Sequence, residues 1–316
     1  MYQNIPSLSD IKRAHQRIEK YIVRTPIMQS SSINKIFGAD LYLKCENFQK
    51  VGAFKMRGAA NVIMSYRPED RANGFATHSS GNHAQAVALA SKVAGNKAYI
   101  VMPNNAPEVK KKAVIGYGAE VTFCEPNEQA RAAACNKIIE ETGAIFVHPF
   151  NDSRIIAGQA TAAKEFIEEE NDLDYIITPV GGGGLAAGTA LVTSYVSPNT
   201  KVILGEPEKV NDTYQSFKSG KLTPVGTEKS IADGLLVSVG SLNFEIIKKH
   251  VEDVVTVSET EIISAMRLIW ERMKIIIEPS SAVAIATVLK QKDQLAGKKV
   301  GIIITGGNVD LGNLPF

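Results

Sequence analysis

The sequence predicts an α/β protein of two lobes, each holding a mostly parallel sheet covered by helices. Three observations carry this. Short β-branched runs alternate with helix-periodic stretches from Leu41 almost to the C-terminus. The loops after several of those runs are rich in glycine, serine and asparagine. At 316 residues, 44% of them hydrophobic, the chain is long enough for two lobes that each bury a core.

A first helix is predicted from Ser9 to about Tyr21. Ile11, Ala14, Ile18 and Ile22 recur near helical spacing, and Thr25-Pro26 stops the helix, because the residue before proline avoids helical geometry. Leu41-Tyr42-Leu43 reads as a strand, followed by a helix over 54–65. Strands are then expected at 74–77, 98–101, 120–123 and 145–147. Between them lie an alanine-rich helix ending at Ala94 and helices over 108–115 and 127–141, the alternation of a parallel sheet. Larger elements follow: a helix over 155–170, a buried strand at 175–178, a helix beginning near Leu185 and a strand at 202–204. From Glu206 to Ser241 the chain is polar and carries no clear period. A strand at 254–257, helices over 259–272 and 280–290 and a central strand at 300–304 complete the reading.

Composition excludes several functions. Lysine plus arginine exceed the acids by 35 − 33 = 2, with no polybasic block, so neither nucleic acid nor a membrane surface is expected as a partner. The first residues lack the basic-then-apolar pattern of a signal peptide, and no stretch approaches the roughly 20 apolar residues of a membrane helix. Cys45, Cys124 and Cys135 are odd in number and lack metal-ligand spacing, which fits reduced thiols in the cytoplasm.

The chemistry is expected in four places. Lys55, in Gly52-Ala53-Phe54-Lys55-Met56-Arg57-Gly58, follows an aromatic residue at a helix start. A desolvated lysine amine there can condense with a carbonyl; a solvated surface lysine is the plain alternative. Gly181, Gly182, Gly183 and Gly184 join a buried strand to a helix, where backbone N–H groups and the helix dipole favour phosphate. The spacing is neither a Walker A loop nor a G-x-G-x-x-G dinucleotide loop, so a nucleotide is not the default ligand. Ser79-Ser80-Gly81-Asn82-His83 is a second strand-to-helix loop that can hold an anion, although the same residues also suit a helix cap. Thr305-Gly306-Gly307-Asn308 ends the last strand, and ligands of open parallel sheets gather at the carboxyl ends of strands. An electrophilic aldehyde carrying a phosphate would use all four, and pyridoxal phosphate is that molecule.

These motifs closely resemble the fold-type-II pyridoxal-phosphate-dependent serine racemases and serine/threonine dehydratases. The likeness runs nearly end to end and includes Asn47-Phe48-Gln49-Lys50, Ile156-Ala157-Gly158-Gln159, Ile231-Ala232-Asp233-Gly234 and Glu278-Pro279. It implies a large cofactor lobe from 1–69 and 151–316, a small lobe from 70–150, and a homodimer acting on a small amino acid. Lys55 is implied as the Schiff-base lysine and base for the α-proton, and Phe54 as packing beside the ring. Asn82 is implied as the partner of the ring hydroxyl, Gly181 to Leu185 as the phosphate cradle, and Thr305 as facing the pyridine nitrogen. Relatives more often carry serine at that last position. Substrate would dock on Ser79, Ser80, Gly81, Asn82, His83 and Ser238.

Ser80 is implied as the proton donor on the face opposite Lys55, which favours racemisation of serine alongside dehydration. The alternative is a threonine or 3-hydroxyaspartate dehydratase on the same scaffold; a non-enzymatic ligand-binding protein is the rival from another class. Glu206, the Val210 carbonyl and Asp212 resemble a site for Mg2+, Ca2+ or Mn2+. Lys50, Gln85, Lys110, Tyr117 and Asn308 resemble the ATP site of nucleotide-activated racemases. Phe150 departs from the polar residue that relatives often carry near the cofactor.

Overall fold

The computed structural model describes residues 4–79 and 81–316. Its strands are β1 (Ile27–Met28), β2 (Asp40–Cys45), β3 (Phe75–His78), β4 (Ala98–Pro103), β5 (Glu120–Cys124), β6 (Ile145–Phe146), β7 (Tyr175–Pro179), β8 (Lys201–Pro207), β9 (Asp253–Val257) and β10 (Lys299–Ile304). They form two sheets, one of order β1-β2-β10-β7-β8-β9 and one of order β5-β4-β3-β6. Every pairing is parallel except that of β1 with β2. The four runs expected between residues 74 and 147 are the four strands of the smaller sheet.

Burial explains the strand order. Ile176 and Ile177 of β7 and Ile302, Ile303 and Ile304 of β10 are all fully buried, as strands covered on both faces require. At the edge of the smaller sheet, β5 leaves Glu120 and Phe123 exposed. The alanine-rich helix Asn82–Val93 is buried along most of its length, because small side chains let it sit close to its neighbours.

Two features anchor the helix Lys55–Met64. It crosses the helix Ser153–Glu169 where Gly58 meets Gly158: a Cβ on Gly158 would lie 2.7 Å from Gly58 Cα. The second anchor is Arg57, which is 0% exposed. Its guanidinium donates to both carboxylate oxygens of Glu46, each at 2.7 Å, and to both of Glu165, each at 2.8 Å. Lys44 Nζ lies 2.9 Å from Glu165, so two buried cations face two buried carboxylates. Burial alone would raise Glu165, but hydrogen bonds from His15 and Arg57 hold its carboxyl well below the usual range.

Four α-helices and one strand among the described residues were not legible in the sequence, the shortest helix being Lys292–Leu295. The helix Ser31–Phe37 buries only Ile33 and Phe37, too few positions to set a period, and it is bounded by the Ser30 cap and left-handed Gly38. The helix Asp212–Ser219 lies inside the stretch read as aperiodic, and its first N–H groups are met by the carboxylate of Glu206 from β8. The helix Ser241–His250 starts after Gly240 with no side-chain cap to mark it. Strand β1 has two residues and exists only through its pairing with β2.

Candidate active site

Both sheets send the carboxyl ends of their strands toward one cleft of about 610 Å³. Lys55, Ser79, Gly81, Asn82, His83, Gly181 to Leu185, Ser238 and Thr305 all line it. Ser80 lies outside the described residues.

The chain turns sharply before Lys55. Val51 and Gly52 have φ of 59° and 66°. A β-branched residue in left-handed geometry costs on the order of 1–3 kcal/mol, so its surroundings must hold it. Phe54 N–H donates to Thr305 O at 3.0 Å, Gly307 N–H to Gly52 O at 3.0 Å, and Asn308 Nδ2 to Val51 O at 2.7 Å. The lysine and the threonine at the end of β10 are therefore stitched together through backbone. Lys55 Nζ donates to Pro149 O at 3.1 Å and lies 5.2 Å from the Phe54 ring centroid. Burial lowers its pKa from 10.5 to about 8, against the opposing pull of Glu278. A lysine that sheds its proton near neutral pH is a nucleophile and a base.

The glycine run opens the helix Gly184–Val196. Gly183 has φ 88°, and no side chain caps the helix, so its first N–H groups face the cleft. Close approach within the protein also demands these glycines. A Cβ on Gly182 would come 2.3 Å from the Phe150 ring, and one on Gly181 would come 2.8 Å from Leu235 Cα. Phe150 thus packs against the glycine run and lines the cleft, its side chain a packing surface in place of a hydrogen-bonding group. Asn243 Nδ2 and Gly240 N–H both donate to Gly182 O, at 2.6 and 3.1 Å, and fix the loop.

Across the cleft, Asn82 Nδ2 donates to the two oxygens of Glu278, at 2.9 and 3.2 Å, and Asn82 Oδ1 accepts from Asn308 Nδ2 at 2.9 Å. Burial, then the nearby Asp233 charge, raise Glu278 to about 7, although Asn82, Lys110 and the Asn308 N–H favour its charged form. Glu278 carried no mark in the sequence beyond the Glu278-Pro279 likeness. His83 Nε2 meets Val147 O at 3.1 Å, while its Nδ1 is buried with no partner among the described residues. Burial, then Lys55, push His83 well below its usual pKa, so the ring stays neutral.

Sequence reasoning also missed the outer wall. His148 Nδ1 accepts from Phe150 N–H and Asn151 N–H, at 3.1 and 2.8 Å, so any proton on the neutral ring sits at Nε2. Burial, then His78, lower it to about 4. Arg131 lines the cleft with Asn136 and Glu128, and its Nε has no hydrogen-bond partner among the described residues. Its helix, Glu128–Thr142, reads in sequence as an ordinary solvated one.

Glu206, Val210 and Asp212 do not line the cleft. Burial, then Asp212, raise Glu206 to about 8; both its carboxylate oxygens accept backbone N–H groups, from Thr213 at 2.9 Å and Tyr214 at 2.7 Å. Asp212 Oδ2 accepts from Val239 N–H at 2.8 Å, and its Oδ1 is buried without a partner among the described residues. No group of three or more His, Cys, Asp or Glu side chains is placed to share a metal among the described residues. Of Lys50, Gln85, Lys110, Tyr117 and Asn308, only Lys110 lines the cleft, where it pairs with Asp233. Ser238 Oγ accepts from Val225 N–H at 2.9 Å.

The donor set fits pyridoxal phosphate: an amine ready for its aldehyde, an uncapped helix start for its phosphate and a hydroxyl at the end of β10 for its ring. Together with two parallel sheets meeting at a cleft, this defines a pyridoxal-phosphate-dependent enzyme of fold type II. The chain belongs to the pyridoxal-phosphate dependent enzyme family, whose profile matches residues 18–306. It is 53% identical over 313 residues to a serine racemase of Dictyostelium discoideum, covering 98% of this chain and 96% of that one. It is 48% identical over 312 residues to a beta-hydroxyaspartate dehydratase of Paracoccus denitrificans, covering 99% of each. A crystal structure of serine racemase from Dictyostelium discoideum superposes with a TM-score of 0.92 over 96% of this chain and 99% of that one. No helix among the described residues is long and apolar enough to cross a membrane.

Proposed function

We propose that the chain is a serine racemase that also dehydrates L-serine and L-threonine. The observation that carries this is the desolvated amine of Lys55, held beside the uncapped glycine loop and the Thr305 hydroxyl. Bound pyridoxal phosphate supplies an electrophilic aldehyde and a sink for the charge left when the α-proton departs.

The chain's own residues do the rest. The N–H groups of residues 79–83 receive the substrate carboxylate, and those at the start of the helix Gly184–Val196 hold the phosphate. Phe54 and Phe150 keep water from the reacting face, and Asn82 reaches the ring hydroxyl. Lys55 Nζ removes the α-proton. Ser80, on the opposite face, returns one to give the D-enantiomer; loss of the β-hydroxyl instead leads to a keto acid and ammonia. Residues 1–69 with 151–316 form the large lobe and 70–150 the small lobe of a cytoplasmic homodimer. Glu206, Asp212 and the Val210 carbonyl would take a divalent cation, for which Asp212 Oδ1, without a partner among the described residues, would be a hard ligand. Lys50, Gln85, Lys110, Tyr117 and Asn308 take ATP as activator.

Arg131 favours a second reading, dehydration of 3-hydroxyaspartate. A guanidinium in the cleft whose Nε lacks a partner among the described residues suits a second substrate carboxylate. One experiment separates the readings: Ser80→Ala and the unmodified enzyme are each given serine, threonine and 3-hydroxyaspartate, with and without magnesium and ATP. D-serine from the unmodified enzyme, abolished in Ser80→Ala while keto acid still forms, is the expected result. Racemisation that survives the substitution removes the role given to Ser80, and turnover of 3-hydroxyaspartate alone selects the second reading.

A further inference from the structure

Thr305 does not stand alone at the end of β10. Its Oγ1 lies 2.8 Å from Ser281 Oγ, on the third residue of the helix Pro279–Lys290, and Ser281 is its one hydrogen-bond partner among the described residues. Ser281 Oγ also accepts from Gly306 N–H at 2.7 Å and reaches Gly306 O at 2.8 Å. The pair is closed off, Ser281 at 0% and Thr305 at 3% exposure, so bulk water does not reorient either hydroxyl.

Each hydroxyl has one proton to give, and Ser281 has two places to give it. Gly306 O already accepts from Glu278 N–H at 3.0 Å, so it tolerates either one bond or two. If Ser281 donates to Gly306 O, Thr305 must donate to Ser281 and turns its lone pairs to the cleft. If Ser281 donates to Thr305, the Thr305 proton points into the cleft. Both arrangements keep the serine–threonine bond, so the group that arrives in the cleft selects between them.

We propose that Ser281 is a positioning residue that makes Thr305 a partner for both protonation states of the cofactor's ring nitrogen. With Ser281 as a proton rest, Thr305 donates to a bare nitrogen and accepts from a protonated one. With the rest removed, the Thr305 proton has only the nitrogen to go to, and the ring is held unprotonated. The inference depends on Thr305 facing that nitrogen, as in the function proposed above.

The test is nitrogen-15 NMR of holoenzyme reconstituted with ring-labelled pyridoxal phosphate, titrated with pH. Ser281→Ala is expected to lower the proton affinity of the ring nitrogen by about tenfold, the worth of one hydrogen bond. Ser281→Thr, which keeps the hydroxyl, restores the unmodified titration. In a Thr305→Val background, Ser281→Ala changes nothing further, because its only route is gone. Because Ser281→Ala leaves Gly306 N–H without its acceptor, Ser281→Cys serves if that variant does not fold; its weakly bonding thiol shifts the titration in the same direction by less. An unchanged titration in the alanine or cysteine variant, or a shift that persists beside Thr305→Val, overturns the proposal. If Thr305→Val alone leaves the ring signal untouched, Thr305 does not face the nitrogen, and the reading beneath the proposal falls with it.

Discussion

The two walls of the cleft are built differently. On the side of the larger sheet, Lys55, the glycine run and Thr305 sit at strand ends and helix starts; hydrogen bonds tie residues 51–54 to 305–308, and Arg57 in its carboxylate cage braces the lysine's helix. On the side of the smaller sheet, the cleft is met by Arg131, Asn136, His148, Ser79, Gly81, Asn82 and His83, and the sheet's edge strand β5 leaves Glu120 and Phe123 in solvent. The first wall is built to hold one cofactor rigidly. The second presents neutral histidines and a guanidinium whose Nε has no partner among the described residues, which is how a surface discriminates between side chains.

If that division is right, substitutions on the first wall remove chemistry and those on the second change only what is accepted. The largest effect is expected from Lys55→Ala: loss of the base should lower keto-acid and D-serine formation by about 10²–10⁴-fold or more, measured as product per bound cofactor. Arg57→Met comes next and acts on the brace. Glu46 would be left buried without its cation and Glu165 with Lys44 as its remaining buried cation, costing about 3–5 kcal/mol in urea unfolding, with activity lost only in step with fold. A full loss of activity in a stable Arg57→Met enzyme would break the division, since it would give the brace a chemical role.

On the second wall, Arg131→Gln should raise KM for 3-hydroxyaspartate by roughly 10–100-fold, the worth of one charge-assisted hydrogen bond, and leave serine unchanged. Equal losses for both substrates would mean that the guanidinium serves the wall and not the substrate. The smallest effect concerns pH. The Lys55 pKa is depressed, from 10.5 to about 8, so the folded apoenzyme releases this proton before the unfolded chain does. Between those values the unfolded state binds more protons, so the Lys55 contribution to stability rises with pH from about 8 to 10.5 and is flat below 8. The rate at which apoenzyme takes up pyridoxal phosphate should climb through pH 8 and level off, followed as the growth of the cofactor's absorption band. Uptake that keeps climbing to pH 10.5 would place Lys55 in water.

The first wall was the more legible in sequence for a physical reason. Backbone that must approach a ligand or a neighbouring ring tolerates only glycine, and a phosphate needs a helix start, so Gly181 to Gly184 announce themselves. Lys55 was conspicuous from its place beside Phe54 and became interpretable once the loops were found. Arg131 and His148 carried no such mark, because a charged residue in a polar helix and a histidine before proline look like any others until the fold turns them toward a cleft.

By itself the sequence determined the alternation of strands and helices, the two parallel sheets and the loops where cofactor chemistry collects, since periodicity and glycine placement are local consequences of backbone geometry. Only the tertiary structure decided the partners that join residues far apart in the chain: Glu278 against Asn82, Arg57 between Glu46 and Glu165, and Ser281 behind Thr305. Those pairings set how readily protons move, because burial removes water and leaves each polar atom to the neighbour that folding brings.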